Sequence, residues 1–155
     1  MLIKITLFIT LVCYAFVISQ SFFYVLAMSN VTKKMQAAAY IETRKLIDHE
    51  LQQSLGPVYY ISLASTVLLT AFSVVNPSGL LFICSVVAFV ALVIDVVLAI
   101  KGNVPLNKAI NNWTATTYPA NWQQYRSRWF NIYHIRQTVN IVGFVTLLAG
   151  LVFGL

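Results

Sequence analysis

The chain has 155 residues, 59% of them hydrophobic and only 9% charged, with a mean hydropathy of +0.80. A soluble domain carries roughly a quarter charged residues, so the composition excludes an ordinary water-soluble enzyme and implies one small bundle embedded in a lipid bilayer. Ten Lys and Arg against four Asp and Glu leave a formal charge of +6; in such a chain this reads as loop charge that sets topology, not as a nucleic-acid surface.

Residues 5–28, ITLFITLVCYAFVISQSFFYVLAM, match the ~20 apolar residues that a bilayer crossing needs. The run is too long for a signal peptide and no small-x-small cleavage site follows, so a permanent helix is expected. Gln20, near its inner end, is expected to bond another helix or a backbone carbonyl, with a substrate-facing role as the alternative. Residues 30–56 turn polar, with Tyr40, Ile47, Leu51 and Leu55 at helical spacing. They predict an amphipathic helix, with continuation of the first span as one possibility. Arg44 and Asp48 form an i,i+4 pair of the kind worth only a few tenths of a kcal/mol, ~0.2–0.5. Glu42 and His49, seven apart and so on one face two turns from each other, are too far apart to ligate one metal directly and are expected on a solvated face. Gly56-Pro57 is read as a helix break, with Pro57 opening the next helix.

A second span is predicted over 58–75, with Tyr59 and Tyr60 in an interfacial aromatic belt. Asn76-Pro77-Ser78-Gly79 reads as a tight turn. The third span, 80–100, holds one ionisable residue, Asp95. A charge inside a span is costly and faces the protein interior with a partner; Arg136, entering the fourth helix at similar depth, is the partner expected. Gly102-Asn103-Val104-Pro105 is read as the end of that span, followed by a short interfacial helix with Leu106, Ile110 and Trp113 on one face and Asn107, Asn111 and Thr114 on the other. Tyr118-Pro119 breaks it, and Asn121 with Gln124 resembles a capping box opening the last helix at Trp122. In that helix Trp122, Arg126, Trp129, Tyr133, Arg136 and Asn140 recur at steps of four and three, which places them on one stripe. A helix this long overshoots the ~30 Å bilayer core, so its first turns project from the membrane.

The expected fold is therefore all-α: a single membrane-embedded four-helix bundle over residues 1–155, with spans near 5–28, 58–75, 80–100 and 133–153. An amphipathic cytoplasmic helix follows span one, and a short interfacial helix lies between spans three and four. Lys33, Lys34, Arg44 and Lys45 fall in the first large loop, and Lys101, Lys108, Arg126 and Arg128 in the second. Arg136 adds a ninth positive charge to that side, against Lys4 alone on the other. The positive-inside rule then places both large loops in the cytoplasm and both termini outside, as in a bacterial inner membrane. Cys13 and Cys84 sit in separate apolar runs, and are small buried residues or, as the alternative, a disulfide in the outer half of the bilayer.

The chain lacks a Walker loop, a dinucleotide fingerprint, a His-Glu-x-x-His zinc site and a Gly-x-Ser-x-Gly elbow. What remains is the cytoplasmic mouth of the bundle, a common ligand site. His134, beside the stripe, is the candidate proton acceptor, or else an interfacial histidine. Trp122, Trp129 and Tyr133 are candidates to wall a pocket for a flat molecule. Arg126 and Arg136 are candidates to hold an acidic group, and Asn107 and Asn111 to add amides. Asp95 with Arg136 remains a structural charge pair. His49 and His134, on different helices, are the pair that could clamp a haem; no other metal site is expected.

Asn103-Val-Pro-Leu-Asn107, followed by Pro119-x-x-Trp122-x-x-x-Arg126-x-Arg128-Trp129 and His134-x-Arg136, resembles the anthrone-oxygenase-like membrane family. The motif covers residues 103–140; the end of span one departs from it, reading MSNVTKK where a Gly- or Pro-containing turn is usual. The resemblance implies a four-span bundle of this length. It also implies oxidation of an anthrone- or quinone-like hydrophobic molecule with molecular oxygen as co-substrate and no cofactor. His134 would then accept a proton while Arg126 or Arg136 stabilises the phenolate-enolate. The alternatives are a non-catalytic accessory subunit that docks a membrane partner or lipid, and a haem-binding membrane protein. Inward-facing polar and aromatic groups would distinguish the first reading from docking, which needs them on an exposed flat patch.

Overall fold

The computed structural model describes residues 2–76 and 79–154, with all their side chains but that of Gln52. Every regular element among them is helical, and four helices are long and apolar enough to cross a membrane. We label them α1 (Leu2–Lys34), α2 (Ala37–Ser73), α3 (Leu80–Asn111) and α4 (Trp122–Gly154). Their up-and-down arrangement makes an all-α four-helix bundle, and the chain is an integral membrane protein. α4 packs most extensively on α3, and α1 on α2.

α1 and α3 are each interrupted once by a π turn. In α1 it spans Tyr24–Met28, where the Ser29 N–H donates to the Tyr24 carbonyl. In α3 it spans Ala99–Asn103, where the Val104 N–H donates to the Ala99 carbonyl. A π turn inserts one residue and rotates everything beyond it on the helix surface, and such turns frequently mark functional sites.

Three expected boundaries are corrected. Gly56-Pro57 does not break the chain: Pro57 lies inside α2, which runs unbroken for 37 residues. Proline there forfeits a single hydrogen bond to the carbonyl four residues back, a loss that a helix tolerates when its neighbours hold it in place. The amphipathic segment is therefore the first half of α2 and not a continuation of α1. The break falls instead at Met35 and Gln36, both extended. Arg126 secures it, donating Nη1 to the carbonyls of Thr32 at 3.3 Å and Met35 at 3.2 Å, where a helix end leaves carbonyls unpaired. Gly102-Asn103-Val104-Pro105 does not end α3 either. The π turn carries the helix into Val104–Asn111, with Pro105 in the first turn, where its missing N–H costs least. The expected short helix exists, but as the last two turns of α3.

The expected turn at 76–79 lies partly outside the described residues, since Pro77 and Ser78 fall there; the Gly79 N–H donates to the Asn76 carbonyl at 2.9 Å. At the opening of α4, the Trp122 N–H donates to the Pro119 carbonyl and the Gln124 N–H to that of Asn121. Its 33 residues give ~50 Å at 1.5 Å per residue, against a ~30 Å hydrocarbon core.

The two ends of the bundle differ in construction. At the end carrying the termini, Leu7, Tyr14, Leu69, Leu81, Ala88, Leu92 and Leu147 form a closed apolar core. Gly143 and Gly150 on α4 let it settle against Ala91 and Cys84 on α3. Cys13 and Cys84 are free thiols. At the basic end, Tyr24, Leu106, Trp129, Phe130 and Tyr133 form a second cluster, and Tyr40, Ile41 and Ile110 a third. Between these clusters and the closed core the helices do not fill the space.

Candidate functional site

That space is a cavity of about 480 Å³. Its wall is built from the region around each π turn and from the helices facing them. Gln20, Phe23, Tyr24 and Met28 come from α1; Arg44, Ile47, Asp48, Leu51, Leu55 and Gly56 from α2; Ala99, Asn103, Val104 and Asn107 from α3; and Trp129, Tyr133 and Arg136 from α4. The volume suits a molecule of several fused rings, and the pattern of an apolar wall with a few convergent polar groups is that of a small-molecule site. A smaller space of about 200 Å³ adjoins it between α2 and α3, bounded by Tyr59, Tyr60, Leu63, Val96 and Ile100 and sharing Gly56, Ala99 and Arg136 with the first.

Two buried charge clusters border the cavity. In the first, Arg136 Nε donates to Asp95 Oδ1 at 2.6 Å and Nη1 to Asn103 Oδ1 at 3.1 Å. The other oxygen of Asp95 accepts from the Tyr59 hydroxyl at 2.6 Å. Asp95 is 0% exposed, so its charge is met wholly by these groups. Asn103 also donates Nδ2 to the Trp129 carbonyl at 3.1 Å, tying the π turn of α3 to α4.

The second cluster was not foreseen as buried. Arg44 and Asp48, read as an i,i+4 pair of small worth, are 4% and 5% exposed. The last turns of α3 cover them: Asn107 Nδ2 donates to Asp48 Oδ1 at 2.6 Å, and Asn111 Nδ2 to Oδ2 at 2.8 Å. Asn107 Oδ1 in turn accepts from Trp129 Nε1 at 2.8 Å. The Arg44 guanidinium lies 4.3 Å from the centroid of the Trp129 ring. Trp129 stacks on Tyr133 at 4.7 Å with 16° between planes, and Tyr24 packs against both.

The structure divides the predicted residues. Trp129, Tyr133, Arg136 and Asn107 stand on the cavity wall. Asn111 supports it through Asp48, and Asp95 through Arg136. Trp122 and Arg126 belong to the neighbouring cluster around Tyr40, with the Arg126 guanidinium 4.6 Å from the Trp122 ring centroid. Burial pushes the Tyr40 hydroxyl there up to about 12, against the opposing pull of Arg44. His134 is half-buried beside Phe130, 6.2 Å between ring centroids, and is not among the described residues that line the cavity. His49 is exposed next to Glu50 and does not line it either. Gln137 accepts from the Ser21 hydroxyl, and Asn140 is fully buried with neither amide atom hydrogen-bonded. Glu42 is exposed as expected.

Arg44, Asp48, Tyr24 and Tyr59 are the site residues that the sequence reading missed. An available signal was the spacing of Arg44, Ile47, Asp48, Leu51 and Leu55, which puts the charged pair on the same face as the apolar residues of α2. No family model, curated protein or solved structure matches the chain.

Proposed function

We propose that the protein binds a flat, largely apolar, ring-bearing molecule of the anthrone or quinone type in the cavity at its basic end, which the charge distribution assigns to the cytoplasmic side of the membrane. The observation that carries this reading is the wall itself. The stacked Trp129–Tyr133 pair and Tyr24 offer ring faces and edges, while Arg44 and Arg136 bring polar hydrogens to the same 480 Å³ space. These groups turn inward, which supports binding within the bundle over docking through an exposed patch.

Oxidation of the ligand is the part of the proposal that rests on the family resemblance of residues 103–140. In that chemistry the acidic ring CH₂ of an anthrone loses a proton, and the carbanion reacts with O₂ to give a hydroperoxide. Loss of water then leaves a second carbonyl. One O₂ is consumed and one water released, with no outside reductant. In this reading Arg44 would meet the enolate charge, while Arg136, whose guanidinium is held by Asp95 and Asn103, would act on it through its field. The proton-acceptor role expected of His134 has no support from the geometry, since the ring does not line the cavity.

The test is titration of the protein in lipid nanodiscs with anthrone under argon, followed by tryptophan fluorescence, and then admission of air with the anthraquinone absorbance recorded. Saturable quenching is expected, weakened about ten-fold in Trp129→Leu. Quinone formation faster than in empty nanodiscs would support the oxygenase step, and binding without it would leave a carrier or sensor of such molecules. Quenching that never saturates would overturn the proposal.

A further inference from the structure

The side space between α2 and α3 differs in character from the cavity that it adjoins. α2 and α3 pack on each other less extensively than α3 and α4 do. The gap between them is bounded by Tyr60 and Ile100, which are 76% and 60% exposed, so it opens outward. Both residues stand on membrane-spanning helices, and Ile100 closes the apolar run of α3, so what lies outside the gap is the bilayer. Inward, the side space meets the main cavity at Gly56, Ala99 and Arg136. Gly56 and Ala99 are the smallest residues available to α2 and α3 at that boundary, and a Cβ built on Gly56 meets nothing within 4 Å. The main cavity therefore has a sideways way out to lipid.

The walls of the side space decide what can lie in it. Leu63, Val96 and Ile100 are aliphatic. The polar atoms at the boundary are engaged with one another: the Tyr59 hydroxyl donates to Asp95 Oδ2 at 2.6 Å, and Arg136 Nε to Asp95 Oδ1 at 2.6 Å. The one charge on this wall, Arg136, is thus neutralised within the protein and is not offered to a lipid headgroup. Nor does the groove draw in a chain by the hydrophobic effect, because lipid is as apolar as the groove. What it offers is room. A ring molecule held against Trp129 and Tyr133 could carry a long chain only if the chain had a passage to the bilayer, and the gap at Gly56 and Ala99 is such a passage. We propose that the ligand carries a saturated aliphatic chain, which leaves the cavity between Gly56 and Ala99, lies in the α2–α3 groove and ends in the bilayer. The molecule then enters and leaves sideways without passing through water. The inference rests on the reading of the cavity as a ring-binding site and adds the other half of the ligand.

Two probes that differ only in the chain test it: 2-methylanthraquinone and 2-decylanthraquinone, titrated against the protein in nanodiscs and corrected for partition into empty nanodiscs. Because the chain exchanges one apolar surrounding for another, the two are expected to bind the wild type within about three-fold of each other. Val96→Phe narrows the side space and leaves the lining of the main cavity as it is. It should weaken the decyl probe about ten-fold and move the methyl probe less than two-fold. Rejection of the decyl probe by the wild type, or an equal response of both probes to Val96→Phe, would overturn the passage while leaving the ring site standing. A decyl probe with a diazirine at mid-chain reads the wild type directly and decides the matter if Val96→Phe does not fold. Illumination should attach it to Leu63, Val96 or Ile100, and attachment confined to α1 or α4 would overturn the proposal. A phospholipid with the diazirine in its acyl chain is the control. If it labels the same residues and saturating decyl probe does not displace it, the groove belongs to bilayer lipid and the proposal fails. Absence of saturable binding by the methyl probe would overturn the ring site itself and this inference with it.

Discussion

A methyl group added at Gly143 would collide with the Tyr14 hydroxyl and stand 2.8 Å from the Ala91 Cβ; one added at Gly150 would stand 2.8 Å from the Cys84 Cβ. The same addition at Gly56, toward the basic end, meets nothing within 4 Å. At the first end α3 and α4 approach until there is no room for a side chain, as small residues allow in membrane helices, and the polar ties there are hydroxyl hydrogen bonds of uncharged groups, Tyr14 to the Ala88 carbonyl and Ser73 with Ser85. At the second end α3 and α4 still meet, a Cβ at Gly102 standing 2.8 Å from the Ile132 side chain, but the helices part around a cavity, and packing cannot hold what does not touch across it. There the ties are polar: Asp95 to Arg136 and Tyr59, Asn103 to Trp129, Asn107 and Asn111 to Asp48. The contrast explains why the buried ion pairs crowd into one half. It also identifies the half free to accommodate something else.

If polar ties hold the cavity end, cutting the strongest should do the greatest damage. Arg136→Met leaves the Asp95 carboxylate buried with only the Tyr59 hydroxyl, and removing one partner of a buried pair costs about 3–5 kcal/mol. Reversible unfolding in mixed micelles should register that loss, and Asp95→Asn combined with Arg136→Gln should recover part of it. A loss below about 1 kcal/mol, the scale of an exposed ion pair, would mean that this end is held by packing like the other.

Alkaline pH probes the cavity end without mutation. Tyr40 is buried there, and its hydroxyl is pushed up to about 12 from an ordinary value of 10. The unfolded chain therefore loses this proton first, so the contribution of Tyr40 is complete below pH 10 and is lost as pH rises toward and through 12. Two pH units correspond to about 2–3 kcal/mol. Unfolding followed between pH 9 and 12 should show this decline in the wild type and a shallower one in Tyr40→Phe. Identical slopes would indicate that the hydroxyl titrates as it does in water.

Much of this contrast was legible beforehand, and the rest was hidden for physical reasons. Four apolar runs and the crowding of Lys and Arg on one side were enough for the bundle and for its basic end. Asp95 betrayed itself as a charge within a span, and Trp129, Tyr133 and Arg136 by their helical spacing. The joins between helices were not legible. Gly56-Pro57 carries the strongest punctuation in the chain yet lies within α2, while the real break at Met35-Gln36 has neither residue. A π turn has no composition of its own, so the continuity of α3 through Pro105 could not be read. Arg44 and Asp48 were misjudged because an i,i+4 pair on an isolated amphipathic helix is solvated. Only the stacking of Val104–Asn111 over them changes that, and stacking is a tertiary fact.

At the packed end the expected effects are smaller but sharper in meaning. Gly143→Ala forces a methyl group between Tyr14 and Ala91, and overpacking of this kind costs about 1–3 kcal/mol. Thermal unfolding of the purified variant reads it. Ring-compound binding at the far end should persist in the fraction that remains folded, since none of Gly143, Tyr14 and Ala91 lines the cavity. Loss of binding in step with loss of stability would mean that the two ends act as one unit.

Gly56→Ala is the matching change at the cavity end, and no comparable loss is expected. Glycine inside a helix is less stable than alanine by roughly 0.5–1 kcal/mol because it gives up more backbone freedom on folding. Gly56 lies inside α2 and no neighbouring helix comes within 4 Å of the new Cβ, but Pro57 follows it, and a proline disfavours helical backbone at a preceding residue that carries a Cβ, which offsets that gain. A midpoint close to that of the wild type is therefore expected, against a fall for Gly143→Ala. Because Gly56 borders both cavities, Gly56→Leu then separates open space from mere tolerance. The larger side chain should be accepted without unfolding and should weaken ring-compound binding by occupying the space where the cavities meet. If Gly56→Ala instead destabilises the protein as Gly143→Ala does, the helices close on each other at this end too, and the distinction between a packed half and an open half fails at the residue where it is easiest to measure.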